Sequence, residues 1–180
     1  MYVPEEIERI LFSKEELAAR VKALGEELTR DYAGKNPLFI CVLKGASVFF
    51  CDLIRQIECP LEIGFIRVSS YTGTVSGEIS VDESGLPEVS GRDVVLVEDI
   101  VDTAKTLSAL KKLFGERNPK SLKVASLLDK PSRRVVEGFK ADYTGFEIED
   151  YFVVGYGLDY AEKYRNLSYI GVLKREIYEK

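Results

Sequence analysis

The sequence predicts an α/β protein, a twisted, mostly parallel five-stranded sheet flanked by helices. Three observations carry that expectation. Short continuous apolar runs, such as residues 38–43 and 94–97, are what strands covered on both faces look like. Segments with helical spacing alternate with those runs, the order that winds strands in parallel. No Pro/Gly/Ser linker or repeat divides the 180 residues, 46% of them hydrophobic, so one domain over 1–180 is expected around one core. Ligands of such sheets sit at the carboxyl ends of the strands.

Each element follows from local pattern. A helix opens at Ser13, where Ser-x-x-Glu forms a capping box with Glu16, and Leu17, Val21, Leu24 and Leu28 share one face. It should end near Gly34. A strand at 38–43 leads through a Lys44-Gly45-Ala46 turn to an apolar helix reaching about Ile57, and a second strand covers 61–68. Residues 70–92 are rich in Gly and Ser, alternate weakly around Ile79 and Val81 and show no helical face, so a long mobile loop with a ribbon is expected. After the strand at 94–97, Leu107, Leu110, Leu113 and Phe114 repeat with helical spacing and Gly115 supplies the stop, so residues 102–106 should cap that helix. A strand at 122–128, a short helix at 133–137 and a last strand at 152–154 complete the chain.

Composition narrows the chemistry. The net charge is −5 and there is no Lys/Arg block, which argues against a nucleic-acid or anionic-membrane partner. The N-terminal MYVPEEIERILFSKEEL lacks a basic start with a long apolar segment, so a cytoplasmic address is expected. Cys41, Cys51 and Cys59 are odd in number and lack C-x-x-C spacing, so buried free thiols are expected. With no histidine, H-E-x-x-H metal sites and Ser-His-Asp triads are excluded. Proton transfer must fall to a carboxylate, Lys, Tyr or Cys. No G-x-x-x-x-G-K-[ST] loop occurs, and Gly155-Tyr156-Gly157 fails the dinucleotide fingerprint because position 160 is Tyr.

The stretch VVLVEDIVDTAKTL, residues 94–107, joins a buried strand, three carboxylates and a helix N-terminus. Free N–H groups at the helix start, with the positive end of its dipole, suit a phosphate monoester, and Thr103 and Thr106 can add hydroxyl donors. Glu98 and Asp99 offer acceptors for vicinal sugar hydroxyls. The combination suits a magnesium-bound phosphosugar. Read blandly, the acids are solvated loop residues and Asp102 or Thr103 is only an N-cap.

The same string closely resembles the phosphoribosyl-pyrophosphate signature of type I phosphoribosyltransferases: apolar residues, Glu-Asp, two aliphatics, Asp-Thr, a small residue, then Lys-Thr-Leu. The departure is Ala104, where that family usually carries glycine. Ala104 implies an altered loop geometry or room for one methyl group, with its N–H retained. The resemblance implies that fold, with a small hood built from terminal segments. It assigns phosphoribosyl pyrophosphate to Glu98, Asp99, Asp102, Thr103, Ala104, Lys105 and Thr106, with Mg2+ as cofactor.

Three further segments resemble the hypoxanthine-guanine subfamily. CVLKGASVFFCDLI, from residue 41, looks like its pyrophosphate loop, which implies a cis Leu43-Lys44 bond and pyrophosphate contacts from Lys44 and Gly45. Ser69-Ser70-Tyr71 resembles a mobile flap in which Ser70 and Tyr71 close over the reacting sugar and keep water out. LLDKPSRR and FVVGYGLDYAEKYRNL imply that Lys130 donates to the purine 6-oxo group, Phe152 stacks on the ring and Val153 adds backbone contacts. They imply further that Asp159, beside the purine, is a ligand to a second magnesium and that Arg165 neutralises pyrophosphate. An ammonium facing the 6-amino group of adenine would be donor against donor, so adenine should be rejected.

The implied activity is purine salvage: ribose 5-phosphate moves from phosphoribosyl pyrophosphate to N9 of hypoxanthine or guanine, and pyrophosphate leaves. Asp102 is the candidate proton acceptor. Partners are the phosphoribosyl donor and a 6-oxopurine, in a homodimer or homotetramer. Preference for xanthine stays open, because an Arg or Lys from a terminal segment could alter contacts at purine C2. A regulatory protein using the phosphosugar site as a sensor and binding RNA or DNA is the rival from another class, and the acidic balance opposes it.

Overall fold

The computed structural model describes residues 2–70 and 79–179. Along the chain run β1 (Ile7–Phe12), α1 (Lys14–Asp31), β2 (Leu38–Leu43), α2 (Ser47–Ile54), β3 (Glu62–Ser70), β4 (Ile79–Asp82), β5 (Asp93–Val101), α3 (Lys105–Gly115) and β6 (Ser121–Asp129). A 3-10 turn (Pro131–Arg133), β7 (Tyr143–Glu147), β8 (Val153–Val154), β9 (Ile170–Leu173) and α4 (Arg175–Tyr178) follow.

The main sheet has the order β4-β3-β2-β5-β6-β7. Five of its strands are parallel, as expected, and antiparallel β4 adds a sixth at one edge. Strand periodicity sends alternate side chains of β2 to opposite faces. Phe39 and Cys41 join α1 and α2 in one core layer, with Phe49, Phe50, Val95 and Val97; Leu38, Ile40 and Val42 join α3 in the other, with Leu96, Leu107, Leu110 and Phe114. This is why the β2 and β5 runs read as continuously apolar. The α1 capping box forms as read: Ser13 Oγ accepts from Glu16 N at 3.2 Å and Glu16 Oε2 accepts from Ser13 N at 2.8 Å. The exposed Glu16 carboxyl is held below its usual range by those Ser13 bonds. Leu17, Val21, Leu24 and Leu28 are all buried.

A second sheet, β1-β9-β8, is antiparallel and joins the two ends of the chain over its own small core of Ile7, Val154, Leu167, Tyr169 and Leu173. It is the hood.

Four expectations are corrected. The fifth parallel strand is β7, whereas Val153 and Val154 pair with β9 in the hood. The helix expected at 133–137 is absent, because Arg134 is extended and the N–H groups of Val135 and Val136 both donate to Thr103 O at 3.2 Å. Within 70–92 the expected ribbon forms, with β4 paired to β3, but Val89 is buried, so the later part of the segment belongs to the folded body and not to a loop; Tyr71 lies outside the described residues, as does the Ser70 side chain. All three cysteines are free, but only Cys41 is buried: Cys51 is exposed because α2 turns Phe49, Phe50 and Leu53 to the core.

Candidate active site

Strands β2, β5 and β6 end side by side, and their loops bring three segments into contact. Leu43-Lys44 is a cis peptide, as the resemblance implied. The turn after it lies against Asp99: a Cβ built on Gly45 would stand 1.6 Å from Asp99 Oδ2. On its other side a Cβ on Gly157 would stand 2.1 Å from the Gly45 carbonyl oxygen, so glycine at both places lets three loops close on one another.

Glu98 is buried and Asp99 is partly buried beside it. Burial pushes the Glu98 carboxyl well above the usual range, and the Asp99 charge adds to the rise. Asp99 is also raised by burial, against the bond that its Oδ1 accepts from Ile100 N at 2.8 Å. Two adjacent carboxyl groups at the wall of one cavity fit a hard divalent cation that would complete its shell from substrate. Among the described residues no three acidic or Cys side chains are gathered to hold a metal.

Beyond β5 the chain turns through Asp102 and Thr103 to Ala104, the α3 N-cap residue, which adopts φ 65°, ψ 5° with no side-chain cap bond. The glycine-type geometry is thus kept, and the methyl group is accommodated in the second core layer. Neither Asp102 nor Thr103 is the N-cap, although Thr103 Oγ1 stands 3.4 Å from Lys105 N as acceptor. A cavity of about 190 Å³ is lined by Glu98, Asp99, residues 100–104, Thr106 and Leu107. Thr106 on its wall is exposed, as is the neighbouring Lys105.

Arg134, which sequence reasoning missed, braces this loop from outside. Its Nη1 donates to Asp102 O at 2.6 Å, and its Nη2 pairs with the buried Asp129 carboxylate.

A second cavity of about 430 Å³ opens beside the first, lined by Ile100, Asp102, Lys130, Phe152, Val153, Leu158 and Asp159, with Arg133, Asp150, Arg175, Tyr178 and Glu179. Lys130 is only 8% exposed, with its Nζ 3.6 Å from Asp150 Oδ1. Asp102 Oδ1 accepts from Arg133 Nε at 3.2 Å. The Phe152 ring stacks on Tyr178 at 4.6 Å and meets the edge of Tyr160 at 5.6 Å. Asp150, Arg133 and Tyr178 were also missed; the paired Arg133-Arg134 after Lys130 was the one visible signal.

The 155–165 loop closes the other side. Arg165 donates through Nη1 to Gly157 O at 2.8 Å and pairs through Nη2 with Asp159 Oδ1 at 2.8 Å. Its buried Nε has no partner among the described residues. Lys44 reaches Glu162 at 3.1 Å, and that bond holds the Glu162 carboxyl below its usual range. The structure therefore brings Lys44, Gly45, Glu98, Asp99, residues 102–106 and Arg165 to one edge, with Lys130, Phe152, Val153 and Asp159 beside them.

Residues 9–161 match the family model for the phosphoribosyl transferase domain. The chain is 51% identical over 178 residues to the hypoxanthine-guanine phosphoribosyltransferase of Streptococcus thermophilus (strain CNRZ 1066), covering 98% of each. It is 52% identical over 176 residues to that of Bacillus subtilis (strain 168), covering 97% of each. A crystal structure of a hypoxanthine phosphoribosyltransferase from Staphylococcus aureus superposes with a TM-score of 0.92 at 43% identity, over 97% of this chain and 96% of that one. A Trypanosoma cruzi hypoxanthine phosphoribosyl transferase gives 0.93 at 39% identity, over 99% and 97%. Sequence identity of about half over nearly the full length, on a shared fold, has one reading: the chain belongs to the hypoxanthine-guanine phosphoribosyltransferase family.

Proposed function

We propose that this chain transfers ribose 5-phosphate from phosphoribosyl pyrophosphate to N9 of hypoxanthine or guanine, releasing pyrophosphate. The observation that carries the reading is the adjacency of the phosphate-type loop 102–106, with its Ala104 turn, to a cavity holding the buried Lys130 and Phe152. The 5-phosphate would take the N–H groups and hydroxyls of that loop. Glu98 and Asp99 would orient the ribose hydroxyls near the positive charge that develops at C1′. Mg2+ held by that pair, with a second near Asp159, would neutralise the leaving pyrophosphate. Lys44, Gly45 N–H and Arg165 would bind the same group. Lys130 would donate to the 6-oxo oxygen, Phe152 would stack on the ring, and Asp102 would accept the purine proton.

Ser70 and Tyr71 would shield the sugar from water. No described helix is long and apolar enough to cross a membrane. Three free cysteines suit a reducing compartment, and the cytoplasm is the proposed address. Assembly as a homodimer or homotetramer is proposed as well; Ile63 and Phe65 on β3 expose apolar surface for it, and light scattering on the purified chain tests it.

Initial rates with phosphoribosyl pyrophosphate, Mg2+ and each of hypoxanthine, guanine, xanthine and adenine test the reading. Turnover of the first two and none of adenine is expected; turnover of no base would sink it. Arg175, at the cavity wall, favours a second reading in which a terminal-segment donor meets a 2-oxo group. A xanthine rate that falls in Arg175→Ala, with the hypoxanthine rate kept, would establish it.

A further inference from the structure

The two cations assigned above to pyrophosphate share one carboxylate, Glu162. Lys44 Nζ donates to Glu162 Oε1 and Oε2 at 3.2 and 3.1 Å, and Arg165 Nη2 stands 3.4 Å from the same Oε2. The backbone presents the carboxylate there. Ala161 and Glu162 take φ of 51° and 62°, a region that side-chain-bearing residues rarely enter, and here two in succession do. Glu162 N–H donates to Asp159 Oδ2 at 2.9 Å, which ties the tip of the 155–165 loop back onto its own base.

Charge counting gives this contact a consequence. Asp159 pairs with Arg165 at 2.8 Å, so two acids neutralise two cations, and an incoming pyrophosphate meets no net positive charge there until one acid lets go. Glu162 is the one free to go: its side chain is 65% exposed, against 29% for Asp159. An exposed ion pair is held weakly and breaks into water at small cost.

We propose that Glu162 is an internal anion that stands in for pyrophosphate between turnovers, bridging Lys44 and Arg165, and exchanges with it when substrate arrives and product leaves. The inference rests on the phosphoribosyl transfer proposed above. Glu162 keeps both cations extended toward the site when it is free. It also competes with bound pyrophosphate, which weakens retention of the product. Because the pair is solvent-exposed, the competition amounts to about 2- to 5-fold in affinity.

Calorimetric titration of the full chain with inorganic pyrophosphate, at fixed Mg2+, tests this with Glu162→Gln and Glu162→Ala. Both variants should bind pyrophosphate about 2- to 5-fold more tightly than wild type. The gain should shrink toward none at about 1 M salt, where charges are screened within roughly 3 Å. KM for hypoxanthine should not move, which separates the effect from a general disturbance of the site. Thermal melting identifies a variant that fails to fold, and the other then carries the test. Unchanged or weaker pyrophosphate binding in a folded variant, beside normal binding by wild type, overturns the inference and leaves the transferase reading standing. If wild type neither binds pyrophosphate nor forms nucleotide, the transferase reading falls and this inference falls with it.

Discussion

Asp102 serves two neighbours with two groups. Its carbonyl oxygen accepts from Arg134, which fixes the backbone of the phosphate-type loop, while its carboxylate faces the base cavity and accepts from Arg133 Nε at 3.2 Å. The backbone duty survives substitution of the side chain; the proton-accepting duty does not. Asp102→Asn should therefore lower kcat by about 10²-fold or more, the usual weight of general base catalysis, while binding of phosphoribosyl pyrophosphate stays close to wild type. Steady-state kinetics on the two proteins measure this, and equal kcat would remove Asp102 from the role. Ala104 shows the same separation of backbone from side chain. Its N–H is available in a left-handed turn whether or not a methyl group is attached, and the second core layer has space for that methyl.

At the scale of elements, the loop between β5 and α3 is positioned less by its own sequence than by the segment after β6. Val135 N, Val136 N and Arg134 Nη1 all donate to the carbonyls of Thr103 or Asp102, and Arg134 is anchored in turn on Asp129, itself only 6% exposed. Removing one partner of a buried pair strands the other charge, which costs about 3–5 kcal/mol. Arg134→Leu should lose that much in urea unfolding and raise KM for phosphoribosyl pyrophosphate; Asp129→Asn in the same chain should recover part of the stability but not the KM. Equal stability of Arg134→Leu and wild type would show that the pair contributes nothing. This brace was illegible because it is long-range and polar, joining residues 102 and 103 to 134–136 across a turn with no periodicity to announce it. The α1 capping box and the split of β2 between two layers were legible, since both follow from spacing within one element. Strand β7 was hidden for the opposite reason to β2: at the sheet edge only Tyr143 is buried, so its sequence is too polar to mark a strand, whereas Phe152-Val153-Val154 is apolar but belongs to the hood. Lys44, Lys130 and Arg165 could be singled out only because the surrounding strings resemble a family. By residue type and spacing alone each was a surface cation.

The whole molecule has a chemical weak point that follows from how its larger core is filled. Tyr32, Cys41, Tyr143 and Tyr156 all lie in the layer between the main sheet and helices α1 and α2. Each carries a proton it would lose in strong base. Burial pushes the Cys41 thiol from an ordinary value of 9.0 up to about 12 and the Tyr32 phenol from 10.0 up to about 12. Tyr143 and Tyr156 are raised as well, first by burial and then by the bonds they donate to Asp31 at 2.7 Å and Asp52 at 2.6 Å. In every case the folded value lies above the unfolded one, so the unfolded chain gives up its protons first. Between those values the folded state binds more protons, and stability falls as pH rises. The contribution of the four groups is complete below about pH 9; that of Cys41 and Tyr32 is lost progressively through about pH 12, and that of Tyr143 and Tyr156, raised further, goes on declining above it. Unfolding should therefore be increasingly easy in urea as pH is raised from about 8 to about 11, and tyrosinate absorbance should show these three phenols ionising only together with loss of helical circular dichroism. Cys41→Val removes one of the four groups at nearly constant volume, so its alkaline decline should be shallower than that of wild type. Superimposable declines for the two proteins, or full tyrosinate absorbance while the helices persist, would place the alkaline weakness outside this layer.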